Sequence, residues 1–282
     1  MIEHFNRASS FLLRNVGYTD TRNHKPLLLI LFAICLALHG GTAKSEDYTF
    51  FHENVLGTSL EIAVEAVSKE EALTAEQAAL SEINRLSAIF STYDPHSEIN
   101  RLLETPLGSP RYMAKELIEV LVACDWWKAR TSGAFNPLTQ EISDLWTEGV
   151  TNNSLPHPEQ LRNTVEAISR STWKIDESYE MVERIKEGKF SLNAIAKGYI
   201  IDHACQKAMS SSEGIDGVLV SIGGDLAVLG SKSRIIGIMD PENPADNSRP
   251  IISLQIKNQA VTTSASYARG FDIQQVHYSH II

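Results

Sequence analysis

Six short apolar or alternating segments crowd the second half of the chain around one amphipathic helix. They are Thr172–Ile175, Val218–Ile222, Ile235–Met239, Ile251–Ile256, Ala260–Thr263 and Phe271–Ile273. No strict βαβ rhythm links them, so the sequence predicts an α+β fold with largely antiparallel sheets packed against helices. The first half agrees. Tyr48–Val55 and Thr58–Val67 alternate as strands about a Leu56-Gly57 turn, and Ser68–Phe90 then carries Ala79, Ile83, Leu86 and Phe90 on one helical face. A turn over Ser91–Ser97 leads to a second long helix over Met113–Arg130, and the polar stretch Asn152–Pro158 precedes a shorter one.

The chain has 282 residues, 43% of them hydrophobic and 21% charged, enough for an enzyme-sized core. Its start differs in kind. A polar stretch with Arg14, Arg22 and Lys25 runs into the apolar Leu27–Leu38, then into small residues ending at Gly41-Thr42-Ala43. This pattern predicts a signal peptide over residues 1–43, an exported, periplasmic product and a single domain over residues 44–282. The apolar run is about a dozen residues, short of the roughly 20 that span a bilayer. Residues 1–43 carry more cations than anions, so the remainder is more acidic still than the whole-chain charge of −10. Such a balance argues against nucleic acid and anionic membrane as partners. Cys124 and Cys205, beyond the leader, both lie in apolar helical contexts and read as two buried thiols. The scattered histidines and the absence of CxxC or HExxH argue against a zinc site or a redox centre.

The chemistry concentrates in Ser191-Leu192-Asn193-Ala194-Ile195-Ala196-Lys197-Gly198-Tyr199-Ile200. Asn193 reads as an N-cap and Ile195, Tyr199 and Ile200 begin an apolar stripe, so a helix is expected to start near Ala194. Lys197 then falls in its first turn, where the helix dipole makes a cation unfavourable by about 0.3–1 kcal/mol unless an anion shares the site. Free N–H groups and a cation at one helix start are what a phosphate binds.

Four segments in order resemble one family, the FAD:protein FMN transferases. They are Phe90-Ser91-Thr92-Tyr93-Asp94-Pro95 with Ser97-Glu98-Ile99, Ser132-Gly133-Ala134-Phe135-Asn136-Pro137, the Lys197 segment, and Val218–Asp225 with its Gly223-Gly224 pair. Met239-Asp240-Pro241-Glu242-Asn243-Pro244 and Thr262-Thr263-Ser264 followed by Tyr267 extend the likeness, which covers about Val55 to Ile282. The resemblance implies a single-domain flavin transferase-like fold. It also implies an enzyme that splits FAD, moves FMN onto a threonine hydroxyl of an acceptor protein and releases AMP with Mg2+. Acceptors would be flavoproteins such as membrane redox-complex subunits, met on the periplasmic side of the inner membrane.

By the same resemblance Lys197 and His280 are the catalytic residues. Leu56, Tyr93, Ala134, Phe135, Asn136, Ser191, Lys197 and Ile282 meet the nucleotide, and the Ala194 carbonyl meets the metal. The chain departs from the family at Ser191 and Asn136, where aspartate is common, and at Ser266, where an acidic residue is usual. The family pattern continues beyond Ile282 into an aspartate and a threonine that complete the metal site, so the sequence reads as C-terminally truncated. A single carbonyl holds a hard divalent ion poorly. The competing expectation is therefore an FAD-binding protein of the cell envelope with impaired catalysis.

Overall fold

Five strands, β1 (Glu46–Val55), β2 (Thr58–Ala66), β6 (Ile215–Ile222), β7 (Asp225–Gly230) and β10 (Gln259–Val261), form one sheet in the order β1-β2-β6-β7-β10, every neighbouring pair antiparallel. The computed structural model describes residues 44–170, 172–243, 248–265 and 270–281. The proposed leader, Ser266, Tyr267 and Ile282 lie outside them. Three small antiparallel sheets complete the strands: β3 (Arg111–Tyr112) with β5 (Met181–Arg184) and β4 (Trp173–Asp176), β8 (Arg234–Ile238) with β9 (Ile252–Ile256), and β11 (Gly270–Ile273) with β12 (Val276–Ser279). The helices are α1 (Lys69–Phe90), α2 (Glu98–Leu103), α3 (Lys115–Arg130), α4 (Gln140–Thr151), α5 (Pro158–Ser169) and α6 (Ala196–Met209). The fold is α+β and antiparallel, as the sequence predicts.

Strand β2 alternates as expected, with Leu60, Ile62 and Val64 on one face of the main sheet and Glu61, Ala63 and Glu65 on the other. Leu60, Ile62 and Val64 of β2, with Val218, Val220 and Ile222 of β6, meet Ala75, Ala79, Ile83 and Leu86 of α1 and Ile200, Ala204 and Ala208 of α6 in the principal core. On the other face Ala63, Leu219 and Val228 pack with Ile256, so the β8–β9 hairpin is the lid over that side. Cys124 and Cys205 are buried in the principal core and unpaired, as expected; burial pushes both thiols up to about 12. Among the described residues no helix is long and apolar enough to cross a membrane.

Local chemistry sets the element ends. Ser68 caps α1 by accepting from the Glu71 N–H at 3.3 Å, and Ser97 caps α2 by accepting from the Asn100 N–H at 3.2 Å. The β1–β2 and β6–β7 turns both have two residues at positive φ, Leu56 (+50°) and Gly57 (+74°), Gly223 (+55°) and Gly224 (+92°), the geometry that matches strand twist in a two-residue hairpin. In an antiparallel sheet of this order both turns lie at the same end. The Gly223 N–H donates to the Ser59 carbonyl at 3.1 Å, and a Cβ on Gly223 would sit 2.7 Å from Thr58 Cγ2.

Candidate active site

The site forms at that end of the sheet, where α6 begins. The helix starts at Ala196, two residues later than the sequence suggests, and its N-cap is Ile195 without a side-chain cap. Asn193 is not the cap. Its amide instead donates across the chain to the Tyr93 hydroxyl at 3.3 Å, joining two loops that sequence reading kept apart. Lys197 does occupy the first turn. Among the described residues the N–H groups of Lys197 and Gly198 have no protein acceptor, whereas the Ala196 N–H is taken by the Leu192 carbonyl at 2.8 Å. Free donors and an ammonium at one helix start are the groups that an anion would use.

The ammonium already has a partner. Lys197 Nζ lies 2.6 Å from Asp225 Oδ2, and Asp225 Oδ1 accepts from the Thr263 N–H at 3.4 Å. Asp225 opens β7 directly after the Gly223-Gly224 turn, so the diglycine is the middle of the β6–β7 hairpin. Asp225 and Thr263 are the residues sequence reading missed. Their signal lay in the Gly-Gly-Asp run itself, but no spacing in the sequence pairs it with a lysine 28 positions upstream.

The second loop supplies Ala134, Phe135 and Asn136. Past the C-terminus of α3, Ser132 (φ +53°) and Gly133 (φ +87°) reverse the chain and leave Ala134 exposed and Phe135 half-buried against the core. Asn136 is buried with both ends of its amide engaged: Nδ2 donates to the Ile168 carbonyl at 2.9 Å and Oδ1 accepts from the Leu138 N–H at 3.0 Å. It fixes the loop rather than offering a free carboxamide. Lys128 and Lys186 donate to the Ile168 and Ala167 carbonyls, so two ammonium groups and Asn136 cap the C-terminus of α5. Burial holds Lys128 below the usual lysine range, with Asp125 pulling it back up.

The Ser191 N–H donates to the Pro137 carbonyl at 2.7 Å, which ties this loop to the approach of α6. Tyr93 is 80% exposed and Leu56 sits at a turn apex. Behind the site, the Tyr199 hydroxyl donates to Glu119 Oε2 at 2.5 Å and its ring meets Phe90 edge-on at 5.5 Å.

His280 follows β12, exposed, on a hairpin seated against Trp146 of α4 through Phe271 at 5.7 Å and Tyr278 at 5.3 Å.

For a metal the described residues offer the Ala194 carbonyl, which is exposed and accepts from no backbone N–H among them. They contain no group of three or more His, Cys, Asp or Glu able to hold an ion. One backbone carbonyl by itself would be a poor site for a hard divalent cation, which takes several oxygen ligands.

Comparison with known proteins gives one family. The model of the ApbE family matches residues 56–282. The FAD:protein FMN transferase of Treponema pallidum is 27% identical over 268 residues, spanning 86% of this chain and 71% of that protein. That of Vibrio cholerae is 24% identical over 255 residues, spanning 88% and 75%. Among solved structures, the ApbE protein of Thermotoga maritima superposes with a TM-score of 0.71 at 28% identity, over 84% of this chain and 76% of the other. The apo flavinyl transferase ApbE of Pseudomonas stutzeri gives 0.64 at 21% identity, over 85% and 74%, a likeness of fold.

Proposed function

The chain belongs to the ApbE family, and on that footing we propose that it is an FAD:protein FMN transferase. The observation that carries the reading to particular atoms is the start of α6, where the Lys197 ammonium and the unpartnered Lys197 and Gly198 N–H groups belong to one helix turn. A pyrophosphate seated there meets three donors and the positive end of a helix dipole. The acceptor threonine oxygen forms a bond to the flavin-side phosphorus, the pyrophosphate P–O bond breaks, and AMP carries away the electron pair. The hydroxyl proton leaves to solvent or a nearby base. Charge builds on the phosphoryl oxygens, where Lys197 and the helix N–H groups offset it.

Tyr93, Leu56 and the Ala134–Phe135 edge form the proposed wall for the flavin and adenine, with Asn136 and Ser191 holding that wall through backbone contacts. Mg2+ belongs to the proposal, with Ala194 the ligand this chain offers; when bound it neutralises phosphate charge. His280 and Ile282 stay in the proposal on the family pattern alone. Acceptors would be flavoproteins carrying an accessible threonine on the exported side of the membrane, since residues 1–43 read as a leader.

Incubating the chain with FAD, Mg2+ and a threonine-bearing acceptor domain, and following AMP release with flavin fluorescence on the acceptor, tests the reading. Lys197→Ala should lower kcat/KM at least about a hundredfold, the usual cost of one preorganised charge-stabilising donor. Unchanged turnover in that variant removes the role given to Lys197. Tight FAD binding without AMP release would instead support the binding-protein reading that the family's missing aspartate at Ser191 favours.

A further inference from the structure

Asp225 is an awkward neighbour for a phosphate site. A carboxylate beside a bound pyrophosphate repels it, yet here one lies 2.6 Å from the lysine that the phosphate would use. The pair is not a buried staple: the Lys197 side chain is 30% exposed and that of Asp225 17%. Nor does the fold need the carboxylate for cohesion, because the β6–β7 hairpin is already closed by its own ladder from Gly217↔Gly230 to Ile222↔Asp225. What the turn achieves is placement. Gly223 and Gly224 both take positive φ, and the Gly223 backbone is pressed against Thr58, so the first residue of β7 is fixed at the mouth of α6.

We propose that Asp225 is the resident counter-ion of the phosphate site: its carboxylate occupies the Lys197 ammonium in the free protein and yields it to phosphate oxygens when the nucleotide binds. The helix start offers the reason. A lone lysine there opposes the dipole, and an acidic group offsets both charges. A phosphate supplies the same charge with more oxygens and also reaches the Lys197 and Gly198 N–H groups, which no protein acceptor takes among the described residues. Binding is then an exchange of anions on one lysine. Asp225 keeps that lysine extended and pre-aimed, and it raises the threshold for anions that fill only part of the site. The inference rests on the transferase reading only for the identity of the anion.

Equilibrium titration with inorganic pyrophosphate, and separately with FAD, tests it in the wild type, Asp225→Asn, Lys197→Ala and the double variant. Removing the competing charge should tighten pyrophosphate binding about three- to tenfold in Asp225→Asn. The gain should vanish in the Lys197→Ala background, since it acts through the lysine. A merely structural role for Asp225 predicts weaker or unchanged binding, and either overturns the proposal, as does a gain that survives without Lys197. No pyrophosphate binding by any form overturns it too. Pyrophosphate binding with the expected pattern but no FAD binding would leave Asp225 as proposed and remove the transferase reading instead. Should Asp225→Asn fail to fold, the carboxylate 13C shift of Asp225 in the wild type gives the answer: it moves on pyrophosphate addition if the carboxylate leaves the ammonium, and a static shift overturns the exchange.

Discussion

Replacing Gly223 with alanine should cost more than its neighbour does, because it combines two penalties that the structure separates. At φ +55° a side chain must adopt the left-handed region, at a cost of about 1–2 kcal/mol. The new Cβ would also stand 2.7 Å from Thr58 Cγ2, 2.8 Å from Thr58 Oγ1 and 3.2 Å from Thr58 Cβ, inside contact distance of a stiff β-branched side chain. Overpacking of this kind costs about 1–3 kcal/mol. Gly223→Ala should therefore lose about 2–5 kcal/mol in urea unfolding at constant m. Gly224→Ala, at φ +92° with nothing within 4 Å of its Cβ, should lose only the conformational part. The decisive comparison is the cycle with Thr58→Ala: removing both γ atoms should return about 1–3 kcal/mol to Gly223→Ala and nothing to Gly224→Ala. A coupling below about 0.5 kcal/mol would refute the claim that the two turns press on each other. The same variant should reduce FMN transfer beyond its effect on stability, since Asp225 moves with the turn.

Tyr199→Phe keeps the edge contact with Phe90 and removes the hydroxyl on Glu119, so it should cost about 1 kcal/mol at neutral pH. That hydroxyl is the main cause holding the Glu119 carboxyl below its ordinary 4.5, so its contribution is present above that value and lost as pH falls through the lowered one. The variant's stability should therefore fall less steeply below pH 4.5, measured by urea midpoints across an acid series. Asn136→Ala should lose about 1–3 kcal/mol: the Leu138 N–H loses its acceptor inside the protein, while Lys128 still serves the Ile168 carbonyl. Urea unfolding measures it, and a loss near zero would show that the loop is fixed by other contacts. Cys124 and Cys205, with burial pushing them to about 12, should resist a disulfide reagent at mildly alkaline pH and react fully in guanidinium; fast labelling of either in the native protein, mapped by mass, would contradict their burial.

What the sequence made legible was local. The Leu56-Gly57 turn and the apolar stripe of α1 depend on residues within a few positions of one another, and both stand where expected. Contacts between distant segments were not legible. Asn193 is a good cap by type, but its amide is drawn to Tyr93, 100 positions away, and Ile195 is left at the helix start. β7 hid behind the diglycine, because six residues ending in glycine carry too little alternation to announce a strand without the partner β6. Helix α4 hid for a related reason: Trp146 packs against Phe271 and Tyr278 of the β11–β12 hairpin, more than a hundred positions later. Lys197 was found because a cation in a first turn is locally anomalous. Asp225 was not, because a carboxylate at a strand start is ordinary until the lysine is seen.

This split bears on how the site stays assembled. Its parts come from the 56–57 and 223–224 turns, the Tyr93 loop, the Ala134–Asn136 loop, the start of α6 and the approach to Thr263. The bonds that join them are few: Asn193 to Tyr93, Ser191 to Pro137, Gly223 to Ser59, Thr263 to Asp225, and the Lys197–Asp225 pair. Each is worth about 1 kcal/mol net, less than thermal opening of a surface loop would need to overcome in concert. The Tyr93–Asn193 side, held at 3.3 Å by one exposed amide, is thus the part expected to open first. The Lys197–Asp225 side is backed by the sheet ladder and by Tyr199 against Glu119 and Phe90. The phosphate end is the rigid half of the site and the ring-binding end the adaptable half. Hydrogen exchange should therefore protect the amides of β6 and the middle of α6 most, while the 91–97 loop, whose amides are paired mainly to its own Ser91 and Asp94, exchanges faster. FAD should slow exchange in that loop far more than pyrophosphate does, because only the larger ligand reaches it.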